Sequence, residues 1–538
     1  MKIALAKINQ TAGKIKDNLN KISDYIFNAE KEKCDLTVFP EFAVCGGYCG
    51  DLLLNKDFIE ENICASNEII KKSNIPVICG TITKDDKEGL LNSVSLFNKE
   101  LSAVVSAKHT LNDSAFNDEK YFKKKTVVDA VKIANKNIMF VVTDSCETVN
   151  ENIATIFKET KIKPDIVFIL GCSPYYYGKA EEYKSLMKNL AVQTKTDFGF
   201  LNMLGGNDGY VFDGLAIYVD KNGDFKLTEQ SFEEKLIIFD TDGQNIEDKQ
   251  NDKNKEMYDV LVLGLKDYMR KNNFKKCVLG ISGGIDSALV AAVAADAVGA
   301  ENVTGVLMPS KYTSKESTDC SLELCKNLNI QTKTIPINDI YDVYIKILTP
   351  SFEGKGQDLT EENLQARIRS NILMALSNKF GYFVLCTGNK SEDAVGYSTL
   401  YGDATGGYAP ISDLLKKEVY ELSRYRNTIS KVIPEFIITR PPTAELRENQ
   451  KDSDSLPEYD ILDDILTKIL DKQMTYSQII ESGVKEEVLN KVWKLLSVSE
   501  YKRRQSPVGT KVSKTAFLRD ITLPMSNGYI WKSTIKKQ

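Results

Sequence analysis

The stretch KKCVLGISGGIDSALVAAVAA (275–295) reads as a strand, a tight turn and a helix in direct succession, with the strand over 276–282 and the helix over 286–299. Small residues at Ser282, Gly283 and Gly284 let backbone N–H groups close around an anion at the helix N-terminus, where the helix dipole adds favourable charge. Ser287 can add a hydroxyl donor. Asp286 would repel a bare phosphate, so its presence makes sense only with a divalent cation between the two. The lysine of a Walker-type loop is missing, and so is a G-x-G-x-x-G fingerprint. The competing reading is a structural glycine turn capped by Asp286.

Around this turn the chain alternates regularly: helix 257–272, strand 276–282, helix 286–299, strand 303–309, helix 315–328, strand 331–337, helix 360–379 and strand 382–387. Alternation of this kind predicts a parallel, doubly wound sheet. Residues 240–256 are polar, charged and aperiodic, and read as a linker between a domain at 1–245 and a domain at 257–538. The first half carries short apolar strands over 2–9, 35–41, 75–83, 92–98, 103–109, 137–145, 165–173, 198–204 and 214–220, with helices over 15–33, 57–73 and 179–194. Many strands with few helices between them predict two sheets covered by helices, an α-β-β-α sandwich. The fold class is therefore α/β in both halves.

A chain of 538 residues exceeds one ordinary core, which favours two domains. Hydrophobic content of 42% and charged content of 27% describe a soluble globular protein. The net charge of −5 lacks a basic footprint, so no nucleic-acid partner is expected. No signal peptide is read at MKIALAKINQ, and the longest apolar run, near 288–300, falls short of the roughly 18 residues that cross a bilayer; no membrane partner is expected. The eleven cysteines show no disulfide framework and no C-x-x-C pair, which points to a reducing, cytoplasmic compartment and away from a thiolate zinc site. The chain has one histidine, His109, so a nucleophile that needs an imidazole base must use that residue or do without.

SGGIDS (282–287) matches the S-G-G-x-D-S signature and so resembles the ATP pyrophosphatase group. That resemblance implies ATP as co-substrate, with Gly280, Ile281, Ser282, Gly283, Gly284, Ile285, Asp286 and Ser287 gripping the pyrophosphate while the α-phosphate is attacked. The segments 387–427 (TGNKSEDAVGYSTLYGDATGGYAPISDLLKKEVYELSRYRN), 362–378 (ENLQARIRSNILMALSN) and 441–463 (PPTAELRENQKDSDSLPEYDILD) are more specific, and resemble the NAD synthetase family over nearly all of 257–525. Such a relationship implies that deamido-NAD is converted to NAD through an adenylated carboxylate, with release of AMP and pyrophosphate. It places Thr387 at ATP, Asn363 in the deamido-NAD pocket, and Glu392 at the dinucleotide and at a Mg2+ ion shared with Asp286. EYKRRQSP (500–507) then supplies cations near the reacting phosphates, Lys502 foremost, with Arg503 and Arg504 beside it. Taken alone, Asn363 reads equally as helix surface and the Lys/Arg trio as a solvated turn.

Upstream, VVTDSCETVN (141–150) places Cys146 just after an apolar strand. A cysteine in such a place is most often inert packing. However, Glu41 in TVFPEFAVCGGY (37–48) and Lys108 in AVVSAKHTL (103–111) stand at two further strand ends. An acid, an amine and a thiol at one edge form the set that a nucleophilic amidase without histidine would use. Strand neighbours point to opposite faces, so His109 beside Lys108 is a bystander. Glu41, Lys108 and Cys146 stand where the nitrilase superfamily places its Glu-Lys-Cys set. CSPYYYGK (172–179) resembles a segment of the glutaminase domains fused to NAD synthetases, which implies L-glutamine as substrate with Ser173, Lys179 and Glu147 around it. The segment KHTLNDSAFNDE (108–119) departs from the family pattern, with Ser114 in place of a tyrosine that borders the glutamine pocket.

The two resemblances together imply that one half releases ammonia from glutamine and the other uses ATP to fix it, with an internal conduit between them and a homo-oligomer as the assembly. Alternatives are an ATP pyrophosphatase of another kind, a nitrilase-like hydrolase whose second half only binds nucleotide, and an ammonia-dependent enzyme with a degenerate glutaminase half.

Overall fold

The computed structural model describes residues 1–85, 87, 89–99, 101–111, 116–124, 130–143, 145–160, 162–248 and 251–531. The chain divides into two compact units, residues 1–251 and 252–538.

In the first unit the strands are β1 (Lys2–Lys7), β2 (Leu36–Val38), β3 (Val77–Lys84), β4 (Leu90–Asn98), β5 (Leu101–Ala107), β6 (Val131–Ile133) and β7 (Lys136–Val142). They continue with β8 (Ile166–Gly171), β9 (Asp197–Asn202), β10 (Leu204–Asn207), β11 (Tyr210–Asp213), β12 (Ala216–Val219), β13 (Phe225–Glu229) and β14 (Lys235–Asp240). One six-stranded sheet runs β14-β1-β2-β3-β4-β5 and the other β13-β12-β9-β8-β7-β6, while β10 and β11 form a separate hairpin. Helices α1 (Ile15–Lys31) and α2 (Lys56–Glu68) belong with the first sheet, and α3 (Cys146–Glu159) and α4 (Lys179–Thr194) with the second.

The period of two along a strand sorts the side chains into layers. Ile138, Phe140 and Val142 meet Ile3, Leu5 and Val38 in the core between the sheets. Met139 and Val141, one position out of phase, pack instead with Val149, Ile153 and Met187 of the helices. On the far side Ala6, Val77 and Cys79 pack with Ile22 and Ile26 of α1. Strands buried on both faces have no polar side to show, which is why they read as unbroken apolar runs.

Parallel pairing aligns β1, β2 and β3 in one sheet and β7, β8 and β9 in the other. β5 is antiparallel to β4, and β4 to β3, so β5 ends on the same side as β3. A parallel bridge between Asn9 and Leu204 joins the ends of the two sheets. The segments that leave β2, β5, β7 and β8 therefore open at one end of the sandwich.

The second unit holds four parallel strands, β15 (Cys277–Gly280), β16 (Val303–Leu307), β17 (Gln331–Thr334) and β18 (Phe383–Val384), in the order β17-β16-β15-β18. Its helices include α5 (Lys253–Lys271), α6 (Ile285–Val298), α7 (Lys315–Asn327), α8 (Asn338–Leu348), α9 (Leu359–Phe380), α10 (Lys390–Val395) and α11 (Lys416–Ile429). Helices α5, α6 and α11 pack together. Ile337, Tyr341, Ile368 and Leu373, from α8, α9 and the approach to α8, bury Val278, Val306 and Val384 of the sheet. Chain order reverses between β15 and β18, and at such a switch point an open α/β sheet leaves a crevice at its carboxyl edge.

Each strand here ends sooner than its apolar run suggests. The run 382–387 contributes only Phe383 and Val384 to the ladder, because Cys386 donates its N–H to the carbonyl of Tyr408 and the chain turns out toward the crevice. Helix α5 begins inside the segment read as a linker, since the Asp252 carboxylate accepts the Lys255 N–H at 2.9 Å and caps it. No helix among the described residues is long and apolar enough to cross a membrane.

Candidate active sites

At the open end of the sandwich Glu41 follows β2 and Lys108 follows β5, and both side chains are buried. The Lys108 N–H donates to the Asn92 carbonyl at 2.8 Å, extending the ladder by one residue and fixing the direction of the side chain. Its Nζ lies 3.5 Å from Glu41 Oε1 and 2.5 Å from Asp118 Oδ2. Asn92 Nδ2 donates to the same Glu41 oxygen at 2.6 Å. Two carboxylates thus flank one ammonium. Asp118 is the closer of the two to the ammonium. Asp118 and Asn92 escaped the sequence reading. An acid ten residues after the lysine has no periodic signature.

Cys146 is the first residue of α3, whose N-cap Ser145 accepts the Thr148 N–H at 3.3 Å. It is half-buried, and the positive end of a helix is the environment that stabilises a thiolate. A second cysteine, Cys172, ends β8 at the same edge but is fully buried. Burial and the Glu41 charge push its thiol well above the ordinary range, and Lys108 offsets this only in part. Of the two sulfurs, Cys146 is the one that is not fully buried. His109, past the end of β5, is partly exposed while Lys108 beside it is buried. The side chain of Glu147 and residues 112–115, with Ser114, lie outside the described residues.

Ser173 and Lys179 come together, though not as two open contacts. Ser173 donates its N–H to Asn202 Oδ1 at 2.9 Å, and its carbonyl accepts from Asn202 Nδ2 at 2.9 Å. Lys179 Nζ donates to the carbonyls of Ser173 (2.5 Å) and Pro174 (3.0 Å) and lies 4.0 Å from Asp213 Oδ2. The buried ammonium therefore holds the 173–174 turn in shape.

In the second unit Gly280, Ile281, Ser282, Gly284, Ile285, Asp286, Ser287, Thr387 and Glu392 all line one cleft of about 280 Å³ at the switch point. Gly283 has φ +78, and a Cβ added there would fall 2.6 Å from the Ser317 carbonyl oxygen, so only glycine fits. Ser287 Oγ donates to the Gly284 carbonyl at 3.1 Å and lies 3.1 Å from Ser282 Oγ. The N-cap of α6 is Gly284, with no side-chain cap. Asp286 is therefore not the capping residue of a plain structural turn. Its Oδ1 accepts from Asn389 Nδ2 at 2.8 Å, and its Oδ2 lies 2.6 Å from Lys416 Nζ.

Lys416 Nζ also reaches Glu392 Oε1 at 2.9 Å. The shared partner of Asp286 and Glu392 is thus an internal ammonium. Burial nevertheless raises the Glu392 carboxyl to about 8, so the pair has room for further positive charge. Two hard oxygen donors facing a cleft suit Mg2+, which prefers one or two carboxylates completed by phosphate and water. No group of three or more His, Cys, Asp or Glu residues that could cage a metal occurs among the described residues.

Lys502 Nζ donates to the carbonyls of Gly396 and Ser398, both at 2.7 Å, and shapes the turn that presents Tyr397 and Ser398 to the cleft. Arg503 is buried on Glu500 and the Ala394 and Leu496 carbonyls, and Arg504 is held by Glu500 at 2.7 Å. Asn363, partly exposed, accepts from Thr399 Oγ1 at 2.8 Å. The cations that do line the cleft are Lys416, Arg369 and Arg440. Burial lowers the Arg369 guanidinium to about 10, and its Nε donates to the Met308 carbonyl at 3.0 Å.

A carbon–nitrogen hydrolase family model matches residues 2–153, and an NAD synthase model matches residues 257–506. The chain is 37% identical over 537 residues to the glutamine-dependent NAD(+) synthetase of Acinetobacter baylyi, covering 98% of each. To that of Thermotoga maritima it is 36% identical over 573 residues, covering 98% of this chain and 99% of the other. The solved glutamine-dependent NAD+ synthetase of Acinetobacter baumannii, in complex with adenosine diphosphate, superposes on 99% of each chain with a TM-score of 0.78 and 34% identity. The one from Cytophaga hutchinsonii covers 98% of this chain and 97% of its own, with a TM-score of 0.83 at 20% identity, a likeness of fold.

Proposed function

The chain belongs to the glutamine-dependent NAD(+) synthetases, and from that premise we propose how its own residues divide the work. It is a ligase that makes NAD with ATP and takes its amide nitrogen from glutamine. In the proposed division, residues 1–245 are the glutaminase, residues 257–538 the synthetase, and 240–256 the link.

In the glutaminase, Glu41 takes the thiol proton and Cys146 attacks the glutamine amide carbon. The proton passes to the leaving nitrogen, ammonia departs, and water then cleaves the thioester to glutamate. Lys108 stabilises the negative oxygen, with Asp118 fixing its position. Lys179 and Asn202 shape the turn at Ser173 that would meet the amino-acid end of glutamine. In the synthetase, the carboxylate of deamido-NAD attacks the α-phosphorus of ATP, and pyrophosphate leaves from the loop Gly280–Ser287. Ammonia then attacks the acyl carbon and AMP departs. Thr387 borders the nucleotide, while Asn363 and Lys502, both partly exposed, would meet deamido-NAD. Asp286 and Glu392 would hold Mg2+, which supplies charge neutralisation to the phosphates when bound.

The observation that carries the glutaminase assignment is the buried Lys108 ammonium 3.5 Å from Glu41, an acid–base pair that needs no imidazole. We further propose a homo-oligomer in the cytoplasm. None of the eleven cysteines is disulfide-bonded, which supports a reducing compartment. The test is Asp286→Asn with ATP, magnesium, deamido-NAD and glutamine. NAD and AMP should no longer form while glutamate release continues; unchanged NAD formation, or ADP as the wild-type product, would refute the scheme.

A further inference from the structure

The cleft holds a cation that the scheme above does not use. Arg440 lines it with only 10% of its side chain exposed. The guanidinium lies 5.9 Å from the centre of the Phe436 ring, and its Nη1 donates to Ser317 Oγ. The same nitrogen is 3.6 Å from Glu445 Oε1. That carboxylate oxygen is also within hydrogen-bond reach of the Ser314 and Ser317 hydroxyls, at 2.9 and 2.8 Å. Ser314 is the N-cap of α7, a helix of 13 residues. Glu445 thus fills a position prepared for an anion, with an arginine, two hydroxyls and the positive end of a helix around it.

Two features mark Glu445 as a temporary occupant. The position adjoins the phosphate loop, because Gly283 packs so closely on Ser317 that a Cβ there would lie 2.6 Å from its carbonyl oxygen. Ser282, Gly284 and Ser317 line the same cleft. Glu445 also belongs to the 440–446 segment that borders the cleft, and holds a left-handed φ of +47, which costs an L-residue energy. A singly charged carboxylate is a weaker match for this site than a polyphosphate, since arginine can present paired N–H donors to phosphate oxygens.

We infer that Arg440 and Ser317 are the clamp for the terminal phosphates of ATP and for the pyrophosphate that leaves, with Glu445 as an internal anion that keeps the clamp assembled until nucleotide displaces it. This rests on the nucleotide reading of the cleft. The clamp stabilises charge on the leaving group as the bond to the α-phosphorus breaks, and Glu445, freed from α7, swings outward with its own segment.

The probe is inorganic pyrophosphate, used as an inhibitor of NAD synthesis by the full chain. Arg440→Ala should raise its inhibition constant by about tenfold or more, and Arg440→Lys should recover part of that. Glu445→Gln should lower the constant, by about threefold, because the competing charge is gone. That gain in affinity is a result which a purely structural role for Glu445 would not produce. Unchanged inhibition in a folded Arg440→Ala enzyme, or weaker inhibition in Glu445→Gln, would overturn the clamp while leaving the function intact. A wild-type enzyme that releases no AMP from ATP and deamido-NAD would overturn both.

Discussion

Lys416 carries its ammonium to within 2.6 Å of Asp286 Oδ2, although the two residues stand 130 positions apart. The aspartate of the phosphate-loop motif is thus neutralised before nucleotide arrives, by the residue that also binds Glu392. Lys416→Met would leave two poorly exposed carboxylates facing each other without a counter-charge. The second unit should lose about 3 kcal/mol of stability, and millimolar magnesium should restore more of it in the variant than in the wild type. Denaturant unfolding of the two proteins, with and without magnesium, checks both statements.

Gly283→Ala places a methyl group against the Ser317 carbonyl at a backbone angle that alanine disfavours. The strain is about 1–3 kcal/mol. The larger effect is on geometry, since a displaced phosphate loop should slow NAD synthesis by about a hundredfold. Glutamate release, which occurs in the other unit, should keep its rate. Parallel assays of NAD and glutamate decide the matter.

Asp118→Asn removes the nearer of the two carboxylates that flank Lys108. The ammonium should then bind Glu41 more tightly and make it a poorer base, so glutamine-driven synthesis should fall by about a hundredfold. Synthesis from ammonium salts should not change. A loss with both nitrogen sources would mean that the substitution unfolds the protein rather than disabling one site.

Asp403 lines the cleft and accepts the Thr399 N–H at 2.6 Å, and although the residue is exposed, partial desolvation by the cleft wall holds its carboxyl above the ordinary 3.8. The folded state therefore keeps a proton that the unfolded state has already released. Its contribution to stability is full below pH 3.8 and is lost as pH rises through the folded value. Within that window wild type should lose stability relative to Asp403→Asn, by well under about 1 kcal/mol in all, because the residue is exposed and solvent screens its charge. Urea midpoints of the two proteins across acidic to neutral pH measure the difference.

What the sequence conveyed best was local. Helix α4 occupies the range its pattern predicts, 179–194, and the doubly buried strands were audible as apolar runs. The Gly283 turn was equally legible, because a positive φ at a helix entrance selects glycine. What stayed hidden was partnership across distance. Nothing near Lys416 announces Asp286, nothing near Arg440 announces Ser317, and Asp118 meets Lys108 at a separation of ten residues that no period marks. A motif named Lys502 and Lys179, but not the backbone carbonyls that their ammonium groups bind.

The claim on which the rest depends is that nitrogen passes from a thiol-bound glutamine to an ATP-activated acid within one chain. Cys146→Ala addresses it directly, with NAD followed separately from glutamine and from ammonium chloride in the presence of ATP, magnesium and deamido-NAD. The account predicts no NAD from glutamine and an ammonium-driven rate equal to that of the wild type. NAD formed from glutamine by the variant, or none formed from ammonium, would contradict it.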